Sequence, residues 1–181
     1  ERSVSELSNE LNETRGLEMT DQVTAMLNRR GLGVAYQELL AECTLKQKPL
    51  AVVLLDLDHF RSLNDAQGAH AGDEALHYFA AAIRGQLRPS DRCSRYDGDE
   101  FVLLAEDVSD VADCASLANR VIQVLAQPLE VQGHQVTLSG SVGVALYPEH
   151  GDRLKLVQNA DAAMFTAKRA GGNTYALFES R

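Results

Sequence analysis

The sequence predicts an α/β (α+β) domain, a β-α-β-β-α-β sheet flanked by helices. Three observations carry that expectation. Residues 50–55 (LAVVLL) form a short continuous apolar run, the pattern of a strand buried on both faces. Two further segments, Cys93 to Tyr96 and the apolar Phe101 to Leu104, flank Asp97-Gly98. Asp-Gly is a strong signal for a two-residue hairpin, because both positions tolerate φ > 0. Around these strands lie four stripes of helical period.

The elements follow in order. Residues 1–20 are polar, with Val4, Leu7 and Leu11 spaced as one a/d stripe, shorter than the three or four heptads of a coiled coil. They are expected to be a helical linker, interrupted near Gly16, ahead of a domain over 21–181. Leu32, Tyr36, Leu39, Leu40 and Cys43 mark a first helix ending near Pro49, before the strand at 50–55. Leu76, Phe79, Ala80, Ile83 and Leu87 mark a second, with Asp73 and Glu74 at its start, where acidic residues complement the helix dipole. After the hairpin, Val111, Cys114, Ala118, Val121 and Leu125 mark a third helix that stops before Pro128. Strands are expected at 129–131 and 135–144, around Gly133-His134. Leu156, Ala160, Ala163, Met164 and Ala167 mark the last helix, which ends at Gly171-Gly172 before a strand at 174–178. A β-α-β-β-α-β core with additions is ferredoxin-like.

At 181 residues the chain is long enough to bury a substantial core as one domain. A net charge of −9 argues against DNA or RNA as partner and against contact with an anionic membrane surface, since both require basic patches. It does not argue against a nucleotide, because a bound divalent ion reverses the local electrostatics. Three cysteines without CxxC spacing fit reduced thiols and a cytoplasmic setting. No apolar run reaches the ~18–20 residues needed to span a bilayer. A chain that begins at Glu1 is expected to be part of a longer protein, with other signalling domains attached.

The chemistry concentrates in two acidic turns. Asp56-Leu57-Asp58 leaves the first strand, and Asp97-Gly98-Asp99-Glu100-Phe101 forms the hairpin tip. Carboxylates from two strand ends, with no Cys or His cluster nearby, suit a hard ion such as Mg²⁺ that in turn holds phosphates. Solvated turn acids are the simpler alternative, since Asp is common in turns. His59, His70, His77, His134 and His150 lack metal-ligand spacing, and His59 reads as part of a loop.

DLDHFRSLNDAQGAHAGD at 56–73, followed by RYDGDEF at 95–101, resembles the GGDEF family of diguanylate cyclase domains. The resemblance runs on through SVGVALYPEHGD (141–152) and NADAAMFTAKRAGGN (159–173), and begins upstream with DQVTAMLNRRGL (21–32). It covers about residues 20–178, and five ordered motifs are far more specific than a lone D-x-D. The resemblance implies a palm-like, GGDEF-type fold and the joining of two GTP molecules into cyclic di-GMP with Mg²⁺ or Mn²⁺, by a homodimer. It implies that Asp56, the Leu57 carbonyl and Asp99 bind metal, with Glu100 at a second ion or assisting deprotonation of the 3′-hydroxyl; Asp99 and Glu100 are thereby the catalytic pair. Asn64 and Asp73 match the guanine-reading residues, and an amide with a carboxylate suits that edge. Phe60 and Arg61 sit where the family's loop backbone cradles phosphates, and Lys168 matches its phosphate-binding lysine. Arg88 and Asp91 match an inhibitory RxxD product site, with Arg120 as a further arginine of that site.

Three departures from the family pattern stand out. Asp97 replaces the first glycine of the signature, Gly172 replaces a phosphate-binding arginine, and Ala69 replaces a histidine. A carboxylate at 97 is expected to repel a triphosphate unless a cation compensates, while Arg169 is a candidate to stand in for the missing arginine. Three functions follow: a diguanylate cyclase inhibited by its product; a GGDEF-like module that binds GTP or cyclic di-GMP without turnover and regulates an attached domain such as an EAL phosphodiesterase; or a structural dimerisation domain.

Overall fold

The computed structural model of the protein describes residues 19–106 and 108–179. The stripe of Val4, Leu7 and Leu11, with Gly16, lies outside the described residues. The elements run α1 (Arg29–Lys46), β1 (Leu50–Asp58), α2 (Phe60–Gln67), α3 (Ala69–Arg84), β2 (Arg92–Asp97), β3 (Glu100–Ala105), α4 (Val111–Leu125), β4 (Leu129–Val131), β5 (His134–Val136), β6 (Ser139–Tyr147), α5 (Leu156–Arg169) and β7 (Thr174–Leu177).

Five strands form one sheet in the order β2-β3-β1-β6-β7, and β4-β5 form a separate hairpin. Neighbours are antiparallel except β6 and β7, which run parallel. The inner order β2-β3-β1-β6 is the ferredoxin-like arrangement the element pattern predicts, with β7 added at the β6 edge.

Strand β1 is central and buried along nearly its whole length, as its unbroken apolar run requires. Its side chains alternate between two cores. Ala51, Val53, Leu55 and Leu57 join Leu76, Phe79 and Ile83 of α3 and Leu117, Val121 and Leu125 of α4. Leu50, Val52 and Leu54 join Leu39 and Cys43 of α1 and Leu156, Ala160 and Met164 of α5. The same period of two sends Asp56 and Asp58 to the α1/α5 side, toward the C-terminal end of α5. That placement decides their chemistry.

Four details differ from the sequence-based expectation. Residues 60–67, to which the sequence pattern assigned no element, form a helix that includes the expected loop positions Phe60 and Arg61 and is entered through His59 with φ 63°. Helix α3 starts at Ala69, so Asp73 lies in its second turn and is not an N-terminal acid. The single strand expected at 135–144 is two: β5 pairs with β4, whereas β6 enters the main sheet and extends to Tyr147. The hairpin loop is Gly98-Asp99, closed by the pair Asp97↔Glu100, with a register shift between Arg95 and Asp97 that leaves Tyr96 as the extra residue. Neither Gly98 nor Asp99 has a positive φ, so the bulge and not a mirror-image turn sets this loop.

Candidate active site

The register pairs Asp56 with Glu100 across β1 and β3, and the Leu57 amide donates to the Asp99 carbonyl at 3.0 Å. The two acidic turns therefore meet at one edge of the sheet. Asp56 is 5% exposed. Its Oδ2 accepts from Lys168 Nζ, which α5 delivers from its last turn, while its Oδ1 is buried with no hydrogen-bond partner. Burial pushes the Asp56 carboxyl up to about 6; Lys168 works against that shift, and the nearby Asp99 carboxylate adds to it. Burial pulls Lys168 down, but Asp56, Asp99 and Asp58 outweigh it and hold the ammonium above the ordinary lysine range. Glu100 is also raised, by burial first and then by Asp97, Asp99 and Asp161.

Asp58 differs. Its carboxylate accepts from Ser139 Oγ at 2.6 Å, Ser141 Oγ at 2.7 Å and the Asn173 amide at 2.9 Å. It pins the turn after α5, where Gly172 has φ 77° and a Cβ would lie 2.7 Å from Asp58 Oδ2. Position 172 contributes no side chain toward phosphate. The Arg169 guanidinium lies over the exposed Phe165 ring, 5.8 Å from the centroid.

The donor set fits a hard cation. Asp56 has a buried oxygen lacking a partner, and Asp99 lies close enough to perturb its carboxyl. Among the described residues no three carboxylate, imidazole or thiolate groups form a ready-made cage. Mg²⁺ is suited to such a site, since it binds through one or two carboxylates plus phosphates and water.

Helices α2 and α3 bring Asn64 beside Gly72, where a Cβ would lie 1.8 Å from Asn64 Oδ1; glycine is required there by close approach. Asn64 Oδ1 is buried without a partner, and Asp73 follows Gly72 on the exposed side of α3. Phe60 is buried and Arg61 exposed in the first turn of α2, whose amides receive no side-chain cap. Arg88, Asp91 and Arg120 line a separate cavity of about 130 Å³ with Val108, Asp113 and Leu117. The Arg88 amide donates to Asp91 Oδ2 at 2.9 Å, closing the turn that presents both residues. The structure thus brings Asp56, Asp99, Glu100 and Lys168 together, Asn64 and Asp73 together, and Arg88, Asp91 and Arg120 together.

Sequence reasoning missed the supports of the hairpin. Arg95 donates through Nε to the Gly98 carbonyl at 3.0 Å and pairs with Asp21 at 3.3 Å. Burial would raise the Asp21 carboxyl, but two hydrogen bonds from Thr24 and the Arg95 charge hold it below the ordinary range. An Asp and an Arg separated by 74 positions give no periodic signal.

The fold and this acidic edge define a palm-like α+β domain with a clustered carboxylate site. Comparison with known proteins is specific: residues 18–174 match the family model described as diguanylate cyclase, GGDEF domain, and the chain belongs to the GGDEF family. The bifunctional diguanylate cyclase/cyclic di-GMP phosphodiesterase MucR of Pseudomonas aeruginosa is 41% identical over 165 residues, 91% of this chain and 24% of MucR. The solved GGDEF domain of TpbB (YfiN) from Pseudomonas aeruginosa superposes with a TM-score of 0.85 at 36% identity, covering 88% of this chain and 94% of that one. The GGDEF domain of DgcB from Caulobacter crescentus, solved in complex with c-di-GMP, has a TM-score of 0.83 at 25% identity, covering 90% and 94%. The chain spans between 20% and 37% of the length of curated relatives it matches. Among the described residues no helix is long and apolar enough to cross a membrane.

Proposed function

We propose that this domain is a diguanylate cyclase, condensing two GTP molecules into cyclic di-GMP with Mg²⁺ or Mn²⁺. The observation that carries this reading is Asp56: a buried carboxylate with one oxygen lacking a partner, placed by strand register beside Asp99 and Glu100 and held by a lysine. Asp56, the Leu57 carbonyl and Asp99 would hold the ion, with Glu100 at a second ion or accepting the 3′-hydroxyl proton. A divalent ion in such a site neutralises charge on the attacking and leaving oxygens of phosphoryl transfer.

The protein's residues supply binding and orientation. Lys168 releases Asp56 to meet a phosphate, an exchange its 41% exposed side chain permits. The uncapped first-turn amides of α2 at Phe60 and Arg61 face the triphosphate, using the positive end of the helix. Asn64 and Asp73 read the guanine edge, for which the partnerless Asn64 Oδ1 is available. One domain holds one GTP, so attack on the α-phosphate requires a second copy facing it. Arg88, Asp91 and Arg120 take cyclic di-GMP as an inhibitory product, with arginine binding guanine or phosphate bidentately. Residues 1–20 act as the linker to upstream domains and 21–181 as the GGDEF unit, working where cytoplasmic GTP is available.

A second reading is a GGDEF-like module that binds nucleotide without turnover and regulates an attached phosphodiesterase. One observation favours it: the family's phosphate-binding arginine is replaced by Gly172, in a turn packed against Asp58. Losing a charge-assisted contact costs about 1.5–3 kcal/mol of GTP binding. Incubation with GTP and Mg²⁺ over a range of protein concentrations, followed by nucleotide chromatography, separates the two. A cyclase gives cyclic di-GMP at a rate that rises more than linearly with concentration; bound GTP with no product transfers the assignment to the module.

A further inference from the structure

The signature's aspartate at position 97 has a partner that its sequence neighbourhood does not suggest. Arg29 is the first residue of α1, which begins after Asn28, whose side chain accepts from the Gly31 amide. From there its Nε donates to the Tyr96 carbonyl at 3.2 Å, and its guanidinium lies 4.2 Å from the Tyr96 ring centroid. Its Nη2 is 3.7 Å from Asp97 Oδ2. The other oxygen, Asp97 Oδ1, accepts from the Gly98 amide at 2.9 Å, in the loop that carries Asp99. One arginine therefore grips the bulged residue of β2 by carbonyl and ring and the next residue by its carboxylate. Arginine is suited to this double role, being planar, always charged and able to stack.

We propose that Arg29 is a positioning residue for the signature hairpin, and that it holds and neutralises Asp97 so that the two act as one unit beside the nucleotide site. Asp97 pairs with Glu100 across the hairpin, so its charge sits beside the acidic edge where phosphate would bind. An unopposed carboxylate there repels a triphosphate; opposed by Arg29, it serves as a turn-closing acceptor for Gly98. The pair is exposed, 62% and 67% at the side chains, so its electrostatic share is modest and screened by salt. The nucleotide half of this inference rests on the GTP-binding reading, whereas the hairpin half does not.

The test is a cycle of four proteins: wild type, Arg29→Ala, Asp97→Gly and the double variant, with Arg29→Lys as a variant that keeps charge but not the planar fork. Calorimetric titration with GTP and Mg²⁺ at low salt should show Arg29→Ala weakening affinity by about two- to fivefold, a loss that shrinks at high salt. Asp97→Gly should change affinity less than about twofold by itself and should cancel most of the loss when added to Arg29→Ala. Arg29→Lys should recover part of it. Amide exchange at Gly98, which needs no nucleotide, should quicken several-fold in Arg29→Ala and less in Arg29→Lys. An Arg29→Ala loss of the same size with and without Asp97→Gly would overturn the pairing, as would unchanged Gly98 exchange in Arg29→Ala. Wild-type protein that binds no GTP would count against the cyclase reading and against a module that binds GTP, and Gly98 exchange would then decide the clamp by itself.

Discussion

Asp56 and Asp58 stand two residues apart on one strand, point to the same side of the sheet, and meet opposite surroundings. Asp58 is satisfied by two serine hydroxyls of β6 and the Asn173 amide, all contributed by the protein itself. Asp56 is more deeply buried yet keeps an oxygen with no partner, and its second oxygen is held by a lysine on a partly exposed, movable stem. A carboxylate with both oxygens hydrogen-bonded by its own chain is a structural group. One buried with a site left open is costly unless something else arrives to fill it. The same residue type in the same strand thus does two jobs, and the surrounding hydrogen bonds separate them.

The comparison is broken most directly through stability. Asp58→Ala strands two hydroxyls and an amide and frees the turn after α5. It should lower stability by about 2–3 kcal/mol, or about 5–10 °C in thermal midpoint. Asp56→Asn at pH 8 should hold or raise the midpoint, because burial penalises the charged form it removes. Equal losses in thermal unfolding would erase the distinction.

Lys168→Met sharpens the Asp56 side. It removes the group that opposes the effect of burial on Asp56, so the carboxyl should titrate above its present value of about 6, as followed by carboxyl NMR. GTP affinity should fall by about tenfold from loss of a charge-assisted phosphate contact. An Asp56 titration that stays in place would show that the two are not coupled.

The pH dependence has two opposite signs. The folded value near 6 lies above the ordinary 3.8, so the folded state binds this proton more tightly. The associated stability is fully present below about pH 4 and is lost as pH rises through about 6. Binding of Mg²⁺ with GTP requires the ionised carboxylate, so it should strengthen through the same interval, by about tenfold per pH unit below 6. Calorimetry from pH 5 to pH 8 checks this, and a flat profile would contradict it.

Gly172→Ala is the smallest change on the Asp58 side. A Cβ would lie 2.7 Å from Asp58 Oδ2 at φ 77°, so a loss of about 1–2 kcal/mol is expected in denaturant unfolding. No loss would mean that the turn moves away from Asp58 easily.

How much of this was readable in advance depends on separation along the chain. The buried run of β1, the apolar stripes of α1, α3, α4 and α5 and the two acidic turns are local patterns, and all were legible. Helix α2 was not, since it buries just Phe60 and Leu63 and enters through a left-handed His59, leaving too short a stripe to show a period. The break between β5 and β6 depends on which sheet each strand joins, a tertiary choice. The satisfied state of Asp58 needs Ser139, Ser141 and Asn173, separated from it by 81 to 115 positions, so the local pattern did not separate Asp58 from Asp56, and the family resemblance alone singled out Asp56. The clamp of Arg29 on Tyr96 and Asp97 was hidden for the same reason, with 67 positions between Arg29 and Tyr96.

The central claim is that Asp56 is the open, ligand-seeking carboxylate of this edge. Its most direct test is calorimetric titration of GTP with Mg²⁺ into wild type and Asp56→Asn at pH 8, with folding of each confirmed by circular dichroism. The account predicts magnesium-dependent GTP binding in wild type and its loss in a fully folded Asp56→Asn. Unchanged magnesium-dependent affinity in Asp56→Asn would contradict it.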